Sequence, residues 1–434
     1  MLFCQKRRPA SANRAVRLTT AIALSASLSA GAPLAVAGQS DDRPPLTLAG
    51  AVALARTSHP AVAAASARRR AAVALARQDA AYPNPVLEWR QENMGSPLPR
   101  DAFATIAQPL DISGRRIAIS ASARDIDRRA VADSMSVVRD VEATAARAFW
   151  RASLARALVD LAEEQRLDAA RLARFEADRA REGAVAEVAA MRTGVEHDRA
   201  RVTEASARAA WTQAAADLAR AIGVSPDSLP PVAAMVTRLS DVEDPPLPQV
   251  AVEHALAART DLAALRAAED AARHRVTAER RAVLPDIVVQ AGRKQTAGYS
   301  TGVIGVTVPL PLFNHNTPAR RRAEGELELV QGERRTAEQT IRASVAAAVE
   351  SYRALLAALP AGIDSVVVRA SEVATIAEAA YAAGGSSLLE LLEARRARTE
   401  TMTAALRWAT DVRIARIDLL RVLGASPLDP LSVP

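Results

Sequence analysis

An internal duplication constrains the fold of this chain more than any other feature. Short landmarks of the first half recur about 200 residues later, in the same order, across the whole chain. Five landmarks recur in this way: Pro44-Pro45-Leu46 as Pro245-Pro246-Leu247, Tyr82-Pro83-Asn84 as Leu284-Pro285-Asp286, Pro109-Leu110 as Pro309-Leu310, Gly183 as Gly384, and Ile222-Gly223 as Leu423-Gly424. The sequence therefore predicts two similar repeats, residues 38–240 and 241–434. Each repeat should contain a helix, two short strands, a very long helix, a tight turn and another helix.

The long helix of the first repeat is predicted from the residues that the segment lacks. There is no glycine or proline from Arg115 to Glu182, so at about 1.5 Å per residue the helix would span of order 100 Å. Apolar residues at steps of three and four predict that this helix and the next one pack as a coiled coil. The predicted seam consists of Leu154, Leu158, Leu161, Val188, Met191 and Val195. In the second repeat, Pro360 predicts a break in the corresponding helix.

The predicted strands alternate between apolar and polar residues. Leu87 and Trp89 alternate with Glu88 and Arg90 in the first repeat, which is the period of a strand with one apolar face. One interpretation is a soluble antiparallel sheet on a helical domain. The other is a membrane barrel whose polar face lines a watery lumen. Because four strands are too few to close a barrel and satisfy its edges in lipid, a membrane-spanning sheet would require oligomerisation.

The first 37 residues have the pattern of a secretory signal peptide. A basic segment precedes the apolar run Leu18–Leu28, and Ala35-Val36-Ala37 offers a cleavage site. Cleavage would remove five basic residues and no acidic ones, so the formal charge of the chain would fall from +7 to +2, which argues against a nucleic-acid partner. Cleavage would also remove Cys4, the only cysteine, so neither a disulfide nor a thiolate metal site is expected.

Several stretches, in this order and with this duplication, resemble the TolC-like outer-membrane efflux proteins. The resemblance covers nearly all of the mature chain and is carried by Leu46–Pro60, Tyr82–Pro85, Val308–Asn314 and Tyr381–Arg395. It implies a mainly α fold with a small β part. Three chains would contribute four strands each to a twelve-stranded transmembrane β-barrel, and their long helices would form a periplasmic α-barrel.

The same resemblance implies a function and partners. The chain would be the outer-membrane exit duct of a tripartite system, a homotrimer in contact with outer-membrane lipid, with a periplasmic adaptor protein and an inner-membrane RND pump as partners. Residues Glu88–Gly95 are similar to the first strand of the heavy-metal branch of the family, so heavy-metal cations are the expected cargo. Export of drugs or organic solutes, and type I secretion, remain alternatives.

Two groups of site residues follow from matching the chain to the family motifs. Glu390 and Glu393 fall where family members carry an acidic constriction, although glutamates in the first turn of a helix also simply complement its dipole. Adaptor docking is implied for the two hairpin turns, which consist of Gly183, Ala184, Val185, Gly384, Gly385, Ser386 and Ser387. The salt-bridged gate of the family is incomplete, because Ala189 stands at an acidic position and Ser386 at a basic one.

Other classes of protein fit the sequence less well. A periplasmic adaptor also has long helical hairpins, but it would have one hairpin in a lipoyl-like β domain and no duplication. The sequence has neither an H-E-x-x-H motif nor a phosphate loop. Its histidines have no partner histidine at helical spacing. We therefore expect a non-enzymatic protein without a cofactor or a metal site.

Overall fold

The structure, a computed structural model, describes residues 44–95, 97–235, 237, 243–358 and 363–431. The predicted signal peptide, residues 1–37, and the predicted break at Pro360 lie outside the described residues. From residue 44 onward the described residues form one compact unit of long helices with a small sheet.

The two repeats have the same order of elements. The first contains α1 (Leu48–Ser58), α2 (Pro60–Ala80), β1 (Val86–Glu92), β2 (Asp101–Leu110), α3 (Arg115–Arg181) and α4 (Glu187–Ile222). The second contains α5 (Pro248–Ala258), α6 (Thr260–Arg281), β3 (Ile287–Thr296), β4 (Tyr299–Thr307), α7 (Thr317–Ala357), α8 (Ile363–Ala382) and α9 (Leu388–Leu423). The predicted mainly α fold with a small β part is confirmed. The boundaries of the repeats, 38–240 and 241–434, stay a prediction.

Each repeat opens with two helices, where the sequence predicted one. The chain bends at His59, because a residue before proline disfavours helical geometry, and at Arg259, whose guanidinium pairs with Asp261 at 2.6 Å. Gly223, at the end of α4, packs against the bend at His59 and has a left-handed backbone (φ 79°). A Cβ on Gly223 would lie 2.6 Å from Cα of His59, so only glycine fits this close approach.

Each repeat has a hydrophobic core between its helices, and the two cores are similar. In the first repeat α1, α3 and α4 bury Val141, Phe149, Leu218 and Ile222 among alanines. In the second repeat α5, α7 and α9 bury the set Val345, Val349, Tyr352, Leu419 and Leu420. Burying each large aliphatic side chain contributes about 1.5–3 kcal/mol, and the alanines let the helices approach closely.

The predicted seam between α3 and α4 is placed differently in the structure. The two helices form the expected antiparallel hairpin, which Arg166 and Glu204 bridge at 2.5 Å. Leu154 and Leu158, however, pack with residues of α9. The α4 half of the seam (Val188, Met191 and Val195) is exposed. Helical periodicity identifies an apolar stripe but does not specify which neighbour covers it.

Candidate functional site

The two helical hairpins end in turns of the same geometry. Gly183 and Gly384 follow α3 and α8 with left-handed backbones (φ 75° and 77°). At the first turn the N–H of Ala184 donates to the carbonyl oxygen of Arg179 at 2.8 Å. At the second turn the N–H of Gly385 donates to the carbonyl oxygen of Ala380 at the same distance. These bonds satisfy the last carbonyls of each helix, so glycine at the turn is required by the backbone alone.

The second turn also contains a complete capping box. Oγ of Ser387 accepts a hydrogen bond from the N–H of Glu390 at 3.2 Å, and a carboxylate oxygen of Glu390 accepts one from the N–H of Ser387 at 2.8 Å. Such a box satisfies two backbone donors at the start of α9. The first turn lacks this arrangement, because Ala186 occupies the position before α4. Glu390 therefore has a local structural role in addition to any role in a channel.

The predicted constriction residues lie in the first two turns of α9. Glu390 and Glu393 are both exposed, and Glu393 makes no ion pair with any residue that the structure describes. Both carboxylates are therefore available to a neighbouring chain or to a cation. Ser386 is half-buried, and its Oγ has no hydrogen-bond partner among the described residues.

A polar cluster that the sequence did not predict ties the two hairpins together near these turns. The hydroxyl of Tyr381, on α8, donates to a carboxylate oxygen of Glu176, on α3, at 2.7 Å. Arg179 donates to the same carboxylate at 3.3 Å. Glu176 is fully buried, and its second carboxylate oxygen has no partner among the described residues. Burial, together with the adjacent Glu176 carboxylate, raises the pKa of Tyr381, so its hydroxyl keeps its proton and donates at neutral pH.

An apolar groove lies beside the turns, between the starts of α4 and α9. Its cavity of about 470 Å³ is lined by apolar side chains, with charged ones at its border; they include Val188, Met191, Val195, Leu389 and Leu392, and Arg192, Glu196, Arg199 and Arg396. Several of these side chains are more than half exposed, and contiguous apolar surface of this kind marks a site of protein contact. The stripe that the sequence assigned to an internal seam therefore forms part of a surface groove.

The four strands form one antiparallel sheet in the order β1-β2-β3-β4. Directly paired residues share a face, and one face has a largely apolar band three rows deep, whose outer rows also contain Gln108 and Arg293. Its middle row is Leu87, Ile106, Ala291 and Ile304. Leu87, Ile106 and Ile304 are all more than half exposed. Three rows at about 3.3 Å per residue, with two residues per row, cover roughly 20 Å along the strands.

The opposite face of the sheet is polar at the end near the two strand turns. Asp101 of β2 and Lys294 of β3 form an ion pair at 2.8 Å. The ring of Phe103 lies between the guanidinium of Arg90, 4.8 Å from its centroid, and the ammonium of Lys294, 5.0 Å away. Apolar rows on one face and paired charges on the other are typical of a strand between lipid and water.

In the part of the chain that the structure describes, no three His, Cys, Asp or Glu side chains are arranged to hold a metal ion. None of the helices described is long and apolar enough to cross a membrane.

Comparisons with known proteins agree with this geometry. Residues 251–425 match the family model described as outer membrane efflux protein. The chain is 26% identical over 365 residues to the cobalt-zinc-cadmium resistance protein CzcC of Cupriavidus metallidurans, which covers 81% of this chain and 84% of that protein.

Solved structures share the fold over most of the described residues. A CusC structure matches with a TM-score of 0.72 and 19% identity, and covers 88% of this chain and 92% of that one. The CmeC outer membrane channel of Campylobacter jejuni matches with a TM-score of 0.73 and 13% identity, and covers 92% of both chains.

Proposed function

Because the chain belongs to the TolC-like outer membrane efflux protein family, a family of transport ducts of the outer membrane, we propose that three copies form the exit duct of a tripartite efflux system. One observation carries the proposal: the sheet has an exposed apolar band on one face and paired charges on the other. Such a sheet is stable between lipid and a water-filled lumen, where each face meets a matching solvent.

The edges of the sheet support the oligomeric part of this proposal. β1 and β4 are the outer strands of a four-stranded sheet, and each pairs on one side only. In lipid an unpaired strand edge costs several kcal/mol for each unsatisfied N–H or C=O group. Edge-to-edge pairing of β4 with β1 of the next copy would satisfy these groups. Twelve strands from three chains then close one barrel, and the number three follows the family.

The helices supply the second part of the duct. α3 has 67 residues and is therefore about 100 Å long. The described helices of each chain, packed side by side, would continue the barrel as a periplasmic tunnel. Its narrow end would lie at the two hairpin turns.

We propose heavy-metal cations as the cargo. The relative CzcC is named for resistance to cobalt, zinc and cadmium. In a trimer, Glu390 and Glu393 would place six carboxylates around the entrance, and such a ring attracts cations. The alternatives, drug or organic-solute efflux and type I secretion, differ from this proposal in the molecule that is exported. A deletion strain that loses tolerance to cobalt, zinc and cadmium, and keeps its tolerance to hydrophobic antibiotics, supports metal export; the reverse pattern excludes it.

The proposed partners are a periplasmic adaptor and an inner-membrane RND pump. The two turns, residues 183–187 and 384–388, are largely exposed, and the apolar groove between α4 and α9 begins beside them. A helical hairpin of the adaptor would bury this groove against its own apolar stripe. Replacing Met191 with Asp should then abolish co-purification of the adaptor and leave the mass of the trimer unchanged. Continued co-purification would exclude docking at this groove.

Reconstitution in planar bilayers tests the duct and its entrance together. We expect discrete conductance steps from a trimer of the mature chain; a non-conducting monomer would exclude the duct. Glu390→Gln combined with Glu393→Gln should lower the preference for cations, because both charges are lost. The capping box is kept in this variant, since the amide oxygen of the new glutamine can still accept from the N–H of Ser387.

Glu372→Gln is the matched control for this pair of substitutions. Glu372 is an exposed glutamate of α8, so the control removes a surface charge away from the proposed ring. Unchanged ion selectivity in the double variant would remove the acidic constriction from the proposal and leave the duct itself intact.

A further inference from the structure

A polar pocket lies at the junction between the sheet and the helices. It occupies about 230 Å³ and is lined by Asp79, Arg115, Arg116, Ile119, Arg275 and Asp286; we call these residues the basal pocket. They come from the last turn of α2, the first turns of α3, the C-terminal half of α6 and the residue that precedes β3. Since one water occupies about 30 Å³ of liquid, the basal pocket holds a group several times that size.

The charges of the basal pocket are only partly paired within the chain. Nε of Arg115 is buried and has no hydrogen-bond partner among the described residues. The nearest carboxylate oxygen of Glu279 is 4.0 Å from Arg115 and 3.6 Å from Arg275, and Glu279 is buried and accepts a hydrogen bond from Asn316 at 2.9 Å. Two guanidinium groups therefore have donors to spare at this pocket.

The two carboxylates of the pocket are also available. Asp79 and Asp286 make neither a hydrogen bond nor an ion pair with any residue that the structure describes, although three guanidinium groups line the same pocket. Opposite charges that share a pocket and remain more than 4 Å apart offer separate positions for an anion and a cation. A ligand that carries both charges a few bonds apart would satisfy both positions.

The surroundings of the pocket indicate where such a ligand comes from. Exposed apolar side chains lie at the same junction, below the apolar band of the sheet; they are Tyr82, Ile112, Ile117, Leu284, Leu312 and Phe313. The ring of Tyr82 also lies 5.2 Å from the guanidinium of Arg116. Aromatic and aliphatic side chains beside arginines are typical of the level of lipid headgroups.

We propose that the basal pocket binds the headgroup of phosphatidylethanolamine. The phosphate would accept hydrogen bonds from Arg115 and Arg275, which hold it as charge-assisted contacts. The primary ammonium would donate to Asp79 and Asp286. Arg116 has a structural role, because its guanidinium donates to the carbonyl oxygen of Ala81. This inference rests on the proposed function, since the lipid reaches the pocket only if the sheet spans the outer membrane.

The duplication provides the matched control. In the second repeat, Arg320 and Arg321 follow the proline-containing segment after β4 and lie in the first turn and a half of α7, much as Arg115 and Arg116 lie at the start of α3. Arg321 is exposed at the start of α7 and lies outside the pocket. Arg321→Gln therefore removes one guanidinium from the corresponding level of the molecule and leaves the basal pocket unchanged.

Native mass spectrometry of the delipidated trimer in non-ionic detergent tests the proposal. The probes are phosphatidylethanolamine, phosphatidylglycerol and phosphatidylcholine with identical acyl chains. We expect up to three phosphatidylethanolamine adducts per trimer, with about tenfold tighter binding than for the other two lipids. Arg115→Gln with Arg275→Gln should weaken phosphatidylethanolamine binding about tenfold. Asp79→Asn with Asp286→Asn should remove the preference over phosphatidylcholine, whose quaternary ammonium has no N–H to donate.

The outcomes that would overturn the proposal are distinct from failure of the proposed function. Equal adducts for all three lipids, or loss of binding in Arg321→Gln as large as in the pocket variants, would indicate unspecific lipid. Displacement of the lipid by an equal concentration of soluble phosphoethanolamine would assign the pocket to a water-soluble solute. The trimer peak in the same spectrum reports folding and assembly. A conducting trimer without lipid preference overturns this inference alone, and a non-conducting monomer overturns the duct.

Discussion

Replacing Tyr381 with phenylalanine should loosen the contact between α8 and α3 close to the hairpin turns. The substitution removes one oxygen atom and keeps the ring, which also lies 6.0 Å from the guanidinium of Arg179. The lost hydroxyl is the donor at 2.7 Å to the buried carboxylate of Glu176. Glu176 would then keep only the longer bond from Arg179.

The size of the effect follows from the burial of Glu176. Hydrogen bonds to charged groups contribute about 1.5–3 kcal/mol, and the carboxylate cannot replace the hydroxyl with water without opening the helix contact. The middle of this range applies here, because the acceptor is fully buried but keeps its longer bond from Arg179. We therefore expect the free energy of local opening near the hairpin turns, at the ends of α3 and α8, to fall by about 2 kcal/mol.

Native-state hydrogen exchange is the suitable assay, because the change is confined to one end of a very long molecule. A decrease of about 2 kcal/mol corresponds to roughly 30-fold faster exchange of the amides near the ends of α3 and α8, since each 1.36 kcal/mol is a factor of ten. Amides of the core in the middle of α3, around Val141 and Phe149, should exchange at unchanged rates.

Tyr299→Phe provides the matched control, because Tyr299 lies on β4 with its side chain exposed and the same single oxygen atom is removed. If the amides near the ends of α3 and α8 exchange less than threefold faster in Tyr381→Phe, the hydrogen bond to Glu176 does not hold the two hairpins together. Equal acceleration throughout α3 would instead show that the substitution destabilises the whole chain.

Three further predictions concern the rest of the molecule. Asp111→Ala should destabilise the first turn of α3 by about 1–2 kcal/mol, measured by hydrogen exchange of the amides there, because the carboxylate of Asp111 accepts a hydrogen bond from the N–H of Arg116 at 2.7 Å. Burial alone opposes ionisation of Asp111, but this bond and those from Ser113 lower its pKa. The stabilisation is therefore present above about pH 3.9 and is lost as the pH falls through the lower pKa of the folded state. Gly292→Ala should prevent sheet formation and trimer assembly, scored by heat-modifiable migration, because the added Cβ would lie 2.1 Å from the carbonyl oxygen of Ala104; normal trimers would contradict the register. Leu420→Ala should lower the unfolding free energy by about 2–5 kcal/mol, seen as a lower midpoint in denaturant, while the exposed Leu428→Ala should have little effect.

The elements governed by local sequence were predictable. The stretch without glycine or proline begins at Arg115 and was predicted to end at Glu182; α3 runs from Arg115 to Arg181. The left-handed turns at Gly183 and Gly384 and the alternating strands also formed where the sequence placed them. In each case the cause is a property of adjacent residues: backbone freedom, the missing N–H of proline, or alternation of side chains along a strand.

The features that depend on distant residues were not predictable in the same way. Glu176 and Tyr381 meet from helices of different repeats, and a glutamate among the many charged residues of α3 carries no local sign of burial. The apolar stripe of α4 was correctly identified as apolar, but its placement in a groove depends on where α9 begins. Arg259 is followed by Thr260 and not by a proline, so no local signal predicts the bend there. Whether Glu390 and Glu393 form a ring, and whether the turns dock an adaptor, stays a prediction.

The ion pair between Asp101 and Lys294 has a practical consequence. After Lys6, Lys294 is the only lysine in the sequence, and it lies on the polar face of the sheet. An amine-reactive dye would therefore label the folded mature protein at this side chain and at its α-amino group alone. If the polar face lines the lumen, a dye on Lys294 reports on the outer mouth of the pore, with no engineered cysteine. Quenching of the purified, labelled trimer by an added quencher would report on access to the outer mouth, independently of the state of the entrance at the hairpin turns.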